Sequence, residues 1–174
     1  MDGGDLFGHR TKNEQHQTRF LCEMTGELGY DAIGLGERDL NYGLAFLREM
    51  IEAHDLPFTS ANVRDAVTGE LILPEYLLVE REGITYALVS VLNPEHRIIS
   101  MTTNEDQLQV DDPVAVLREL VPRLRKVADS IVLIGHLGES QTEVVIKEVK
   151  GIDLAVIGHT YRNINNERVI EDTA

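Results

Sequence analysis

Apolar and polar positions alternate along this chain in two periods. Residues 13–28 carry Phe20, Leu21, Met24 and Leu28 at helical spacing, and Gly29 follows as a stop, which predicts a helix buried on that stripe. The apolar run 30–35 predicts a short buried strand. Leu44, Leu47, Met50 and Ile51 predict a helix over about 42–54, ended by Asp55-Leu56-Pro57. A strand over 58–63 and a hairpin of 75–80 with 84–92 follow, the hairpin turning through Arg81-Glu82-Gly83. Residues 93–111 are polar and without period, and read as a long functional or mobile loop. Asp112-Pro113 is a helix start, with Asp as N-cap and Pro in the first turn, and Val116, Leu117, Leu120, Leu124 and Val127 form its apolar stripe. A strand at 131–134, a helix at 141–149 and a strand at 153–157 complete the series. Strands alternating with helices imply an α/β fold with mainly parallel strands wherever helices make the crossovers.

That pattern changes how the charged residues are read, because ligands of open α/β sheets bind at the carboxyl ends of strands. Glu37, Arg38 and Asp39 lie on the turn after strand 30–35. Gly4-Asp5, Ile134-Gly135-His136 and Ile157-Gly158-His159 have the same form: a glycine at an apolar strand end, then a side chain able to bind a metal. Four such ends can converge on one point. Each residue also has a plainer reading. Asp5 is a turn or cap residue, each His a satisfied structural histidine, Glu37 a solvated carboxylate, and Arg38 the ion-pair partner of Glu37 or Asp39. His9, His16, His54 and His96 show no metal-ligand spacing and read as surface residues. Gly34-x-Gly36 lacks the rest of a nucleotide-loop fingerprint.

Composition narrows the classes. The 174 residues suffice for one domain with a proper core, and 16 basic against 30 acidic residues give a net charge of −14. No basic face for nucleic acid is expected, and an anionic substrate needs a metal or a placed Arg to be held. Cys22 excludes an internal disulfide and reads as a buried thiol on its helix. The sequence contains no signal peptide and no apolar run of the roughly 20 residues that a membrane span needs. Residues 1–5 look like a strand end without its strand, and 168–174 like the start of a new strand, so the chain reads as a single domain, 1–174, cut from a longer protein with other domains.

Five short motifs, in order, resemble the calcineurin-like metallophosphoesterases of the 5′-nucleotidase branch. Asp2-Gly3-Gly4-Asp5 is similar to the family's D-x-G-D, and the segment from Gly29 to Gly43 to its L-G-Y-D-A…G-N-H-E-F-D-Y-G. Ser60-Ala61-Asn62-Val63 is similar to S-A-N-V, Gly135-His136 to the lone H motif, and Gly158-His159-Thr160 to G-H-T-H. The resemblance implies a layered β-sheet core flanked by helices, an incomplete α/β/β/α sandwich. It implies a site where two divalent ions, Zn, Mn or Fe, clamp the phosphate of a small molecule about 3.5–4 Å apart and activate a water. Asp5 would bridge the ions, His136 and His159 would bind the second, and Glu37 would stand for that ion's Asn ligand. Asn62 and Arg38 would meet substrate. Members of this branch are often exported, which implies a periplasmic or extracytoplasmic setting.

The chain departs from the family where catalysis is concentrated. Arg38 stands at the catalytic His, Tyr161 at the last position of G-H-T-H, and no D-x-H motif occurs. Arg cannot act as an acid or base near neutral pH, although it can grip phosphate. Two expectations follow. One is a degenerate site holding at most one divalent ion, with little or no phosphoesterase activity. The other is an active metal-dependent phosphomonoesterase or nucleotidase once flanking segments are supplied.

Overall fold

The structure, a computed structural model, describes residues 1–8, 11–99, 107–160, 168–170, 172 and 173. Helix α1 spans Lys12–Leu28, capped by the Thr11 hydroxyl on the Glu14 N–H and closed by Gly29 in the left-handed region. Strand β1 (Ile33–Gly34) leads into a 3₁₀ turn at Glu37–Leu40 and helix α2 (Leu44–His54). Strands β2 (Phe58–Thr59), β3 (Val63–Asp65), β4 (Leu77–Arg81), β5 (Ile84–Leu92) and β6 (Leu108–Val110) follow. The chain continues through α3 (Pro113–Leu124), β7 (Ser130–His136), α4 (Glu139–Glu148) and β8 (Leu154–Ile157). The Asp112 carboxylate caps α3 on the Ala115 N–H at 2.7 Å, as the Asp-Pro start predicts.

The main sheet has the order β4-β5-β7-β8. β7 is parallel to β5 and to β8, while β4 pairs antiparallel with β5 at the edge. β1 pairs parallel with β2, and Asp2 bridges parallel to Ile33 on its other side. Apolar side chains form three bodies. Cys22, Leu47 and Met50 of the first two helices pack with Ile33, Phe58 and Phe7. Leu117, Leu120 and Leu124 of α3, with Val145 of α4, cover Val89, Ile131 and Leu133 of the main sheet. Ala32 meets Leu88, Val132 and Ile134 between the sheets. Helices thus lie outside two facing sheets, which is the α/β layered arrangement expected. The sheets approach so closely that a Cβ on Gly34 would lie 2.8 Å from Ile134 Cγ2.

Several local expectations are corrected. On α1, Phe20, Leu21 and Leu28 are exposed, and Thr18, Cys22 and Thr25 are buried instead. Small residues let α1 lie close to α2: a Cβ on Gly26 would stand 2.5 Å from the His54 carbonyl. Val127, expected on the α3 stripe, lies beyond the helix end in a turn and is exposed, while Val121 on the helix is buried. The strand expected over 58–63 is two short strands, and the stretch read as loop contains β6, antiparallel to β3. Among the described residues near the C-terminus, only an isolated Ile170–Thr173 bridge forms in place of a strand.

Candidate metal centre

The chemistry-bearing residues stand at or beyond strand ends, except Asp5, which follows the isolated Asp2–Ile33 bridge. Gly36 leaves β1 and the 3₁₀ turn begins on Glu37, while His136 is the last residue of β7. His159 follows β8 in a left-handed conformation (φ 52°), and Asp5 takes the same unusual conformation (φ 64°). Close approach between glycines makes this possible. A Cβ on Gly36 would meet Asp5 Oδ1 at 2.3 Å, and one on Gly158 would meet the Gly3 carbonyl at 2.2 Å.

His136 is the buried centre. Its Nδ1 lies 2.7 Å from the Gly3 carbonyl. A carbonyl only accepts, so Nδ1 carries the hydrogen and the other nitrogen, Nε2, faces the site. Nε2 stands 2.9 Å from Glu37 Oε2, 3.2 Å from His159 Nδ1 and 3.5 Å from Asp5 Oδ1. An imidazole lone pair and a carboxylate oxygen at 2.9 Å repel unless a cation, a proton or a metal ion, lies between them. Burial works to raise the Glu37 carboxyl, but the His136 hydrogen bond, Glu37's own N–H and the nearby imidazoles outweigh it and bring it down to about 2. Burial works to lower His136, and the Glu37 and Gly3 bonds with the Asp5 and Glu37 charges raise it above the usual imidazole value.

The structure therefore brings Asp5, Glu37, His136 and His159 to one place, and it adds a residue that spacing did not single out. His96 is not a surface histidine. It is half-buried, its Nδ1 is 3.7 Å from Glu37 Oε2, and its ring lies tilted over His159 with centroids 3.9 Å apart. Ligand atoms of Glu37, His96, His136 and His159 all lie within 4.8 Å of one another. The signal was available, since His96 follows the end of β5, but no glycine precedes it there. Of the other histidines read as surface residues, His16 is exposed, His54 is half-buried and His9 lies outside the described residues.

Arg38 pairs with neither Glu37 nor Asp39 but with Asp5. Its N–H donates to Asp5 Oδ1 at 2.9 Å and its Nε stands 3.5 Å from Asp5 Oδ2. Asp39 is buried and accepts three backbone N–H groups: Asp5 at 3.0 Å, Phe7 at 2.9 Å and Gly36 at 2.8 Å. Burial, with the Asp5 charge, pushes its carboxyl up to about 7 against those three donors. Asn62, expected to meet substrate, is wholly buried and committed elsewhere. Its amide donates to the Leu92 and Asp111 carbonyls at 2.7 and 2.9 Å and accepts from the Leu92 N–H at 2.9 Å. Its amide thus fastens the β2–β3 segment to β5. Tyr161, at the last position of the G-H-T-H segment, lies outside the described residues.

With this geometry in place, comparison with known proteins gives a consistent answer. The venom 5′-nucleotidase of Gloydius brevicauda is 29% identical over 170 residues, covering 92% of this chain and 28% of that protein. The trifunctional nucleotide phosphoesterase protein YfkN of Bacillus subtilis is 28% identical over 165 residues, 83% of this chain and 11% of YfkN. Its relatives are 5′-nucleotidases and calcineurin-like phosphoesterases. The solved calcineurin-like phosphoesterase YfkN superposes with a TM-score of 0.77 at 26% identity, over 91% of this chain and 57% of the other. The 5′-nucleotidase precursor of Thermus thermophilus gives 0.74 at 23% identity, over 91% and 31%, and supports the fold. No family model matches the chain. The chain spans under a third of the length of the venom enzyme. Among the described residues, no helix is long and apolar enough to cross a membrane.

Proposed function

We propose that this chain is a 5′-nucleotidase-like metallophosphoesterase domain whose site holds at most one divalent transition-metal ion and hydrolyses phosphate esters little or not at all. The observation that carries this reading is the Arg38–Asp5 pair. The carboxylate expected to bridge two ions instead accepts the Arg38 N–H and faces its guanidinium, a fixed positive charge beside it. Glu37, His136 and His159 remain as an N/O ligand set suited to Zn, Mn or Fe. A bound ion in such folds polarises a phosphoryl oxygen and lowers the pKa of a water. The residues of this chain supply orientation: Gly3 fixes the His136 ring, Asp39 holds the Asp5 and Gly36 backbone, and Arg38 offers charge toward a phosphate-containing small molecule. Arg38 cannot protonate a leaving alkoxide, and loss of general-acid catalysis alone costs about 10²–10⁴ in rate.

The test is a phosphatase assay on nucleotide monophosphates and p-nitrophenyl phosphate with Mn, Zn, Co and Mg, comparing wild type, Arg38→His and His136→Ala. Negligible turnover by wild type is expected. Robust metal-dependent turnover that disappears in His136→Ala would overturn the reading. A second reading, an active phosphomonoesterase within a longer protein, is favoured by the much greater length of the relatives. Assay of the chain extended with its flanking sequence separates the two.

A further inference from the structure

The geometry points to His96 as a fourth protein ligand, so that Glu37, His96, His136 and His159 form a closed site for one zinc-type ion with no position left for water or substrate. This inference rests on the single-ion reading above and gives that ion a structural role. Three observations carry it.

The first is spacing. Four ligands bound tetrahedrally at about 2.0–2.1 Å place their ligating atoms about 3.3 Å from one another. Measured separations are 2.9 Å (His136 to Glu37), 3.2 Å (His159 to His136), 3.6 Å (His159 to Glu37) and 3.7 Å (His96 to Glu37). These four scatter about that value and all six separations lie within 4.8 Å, so one ion can reach all four once the His96 ring, stacked 3.9 Å from that of His159, moves away by roughly an ångström.

The second is an orphan. His96 Nδ1 is buried and makes no hydrogen bond. A buried polar nitrogen without a partner costs about 1–3 kcal/mol, and a stacked structural histidine would leave that cost unmet. A metal bond at Nδ1 satisfies it.

The third is the state of the neighbours. His136 has its outer nitrogen fixed by Gly3 and its inner nitrogen turned to Glu37, the arrangement that outer-shell partners impose on metal-bound imidazoles. Structural zinc sites take four protein ligands, whereas catalytic ones take three and keep a position open. Glu37 with three histidines is of the first kind. Asp5 is left to Arg38, and the water-activating position of the relatives' chemistry has no counterpart in this ligand set.

The experiment uses Co(II) as a spectroscopic probe and Zn(II) in competition with a chromophoric chelator, on the full chain. Wild type should bind one Co(II) with the intense visible bands of tetrahedral coordination. His96→Ala should bind Zn more weakly by over the ~100-fold that loss of an outer-shell partner costs, and its Co(II) bands should fade as water enters. His96→Cys gives a positive signal that does not depend on loss: a thiolate–cobalt charge-transfer band absent from wild type, whose buried Cys22 is the baseline. Far-UV circular dichroism confirms that each variant is folded. Unchanged Zn affinity and unchanged bands in His96→Ala, or no thiolate band in His96→Cys, would overturn the assignment while leaving the single-ion reading intact. Absence of any metal binding by wild type, or two ions per chain, would overturn both.

Discussion

Replacing Asp39 by Ala sets two large effects against each other. Asp39 is fully buried, and burial pushes its carboxyl up to about 7, so its removal returns a desolvation cost to the folded state. Against this, the backbone N–H groups of Asp5, Phe7 and Gly36 converge on its two oxygens at 2.8–3.0 Å, and Ala strands all three. Each stranded buried N–H costs about 1–3 kcal/mol, so the three cost about 3–9 kcal/mol before the returned desolvation is set against them. The stranding should win, by about 3–5 kcal/mol. Equilibrium urea unfolding, followed by far-UV circular dichroism about one pH unit above the Asp39 pKa of about 7, is the assay. With a slope near ~2 kcal/mol/M, the midpoint should fall by about 1.5–2.5 M at unchanged slope. A fall of less than about 0.5 M, or a rise, would show that Asp39 is mainly a desolvation liability and that the three short bonds do not hold the Asp5 loop to the Glu37 turn.

Other outcomes follow from the same geometry. In the metal-free protein, Glu37 is lowered from 4.5 to about 2, so its contribution is complete above pH 4.5 and is lost as pH falls toward 2. His136 is raised from 6.5, so its contribution is complete below 6.5 and is lost as pH rises through the raised value. Metal-free stability from this pair should therefore peak between about pH 4.5 and 6.5, and Glu37→Gln should flatten the thermal-melting profile across that window; an unchanged profile contradicts the pairing. Gly158→Ala would place a methyl 2.2 Å from the Gly3 carbonyl and 3.2 Å from His136 Nδ1. It should destabilise by about 1–3 kcal/mol in urea and weaken Zn binding together, because Gly3 orients His136. Leu133→Ala, wholly buried between β7 and α3, should cost about 2–5 kcal/mol without altering the Co(II) spectrum.

Elements with local signals were legible in the sequence. The Asp112-Pro113 cap, the Gly29 stop and the β4–β5 hairpin are written in residues adjacent to the features they produce. What failed was decided at a distance. The buried side of α1 is set by contact with α2, where Thr18, Cys22 and Thr25 allow an approach that the larger Phe20 and Leu21 would block. Strand β6 exists because β3 pairs with it, supported by Arg64 against Asp111 at 2.7 Å, and neither partner shows an alternating pattern alone. The convergence of Asp5, Glu37, His136 and His159 was readable because each follows a glycine or apolar run with the pattern of a strand end, although Asp5 turns out to follow only an isolated bridge. His96 obeys the same logic four residues beyond β5, and only the folded loop reveals that its ring reaches the others. Asn62 matched a motif in sequence, yet three backbone groups claim its amide.

The way the chain closes on His136 also dictates when the centre can form. Gly3 and His136 are 133 residues apart in sequence, Glu37 and His136 are 99 apart, and His159 is 23 beyond. Their meeting requires β5, β7 and β8 to be already in parallel register, the slow non-local step of such a topology. Such long-range closure predicts that the site assembles late and opens early. A cation captured there acts as a latch: it should slow the unfolding arm of a chevron while leaving the refolding arm unchanged. Stopped-flow urea jumps with and without Zn measure this directly, and faster refolding in Zn would place the centre in the folding nucleus instead.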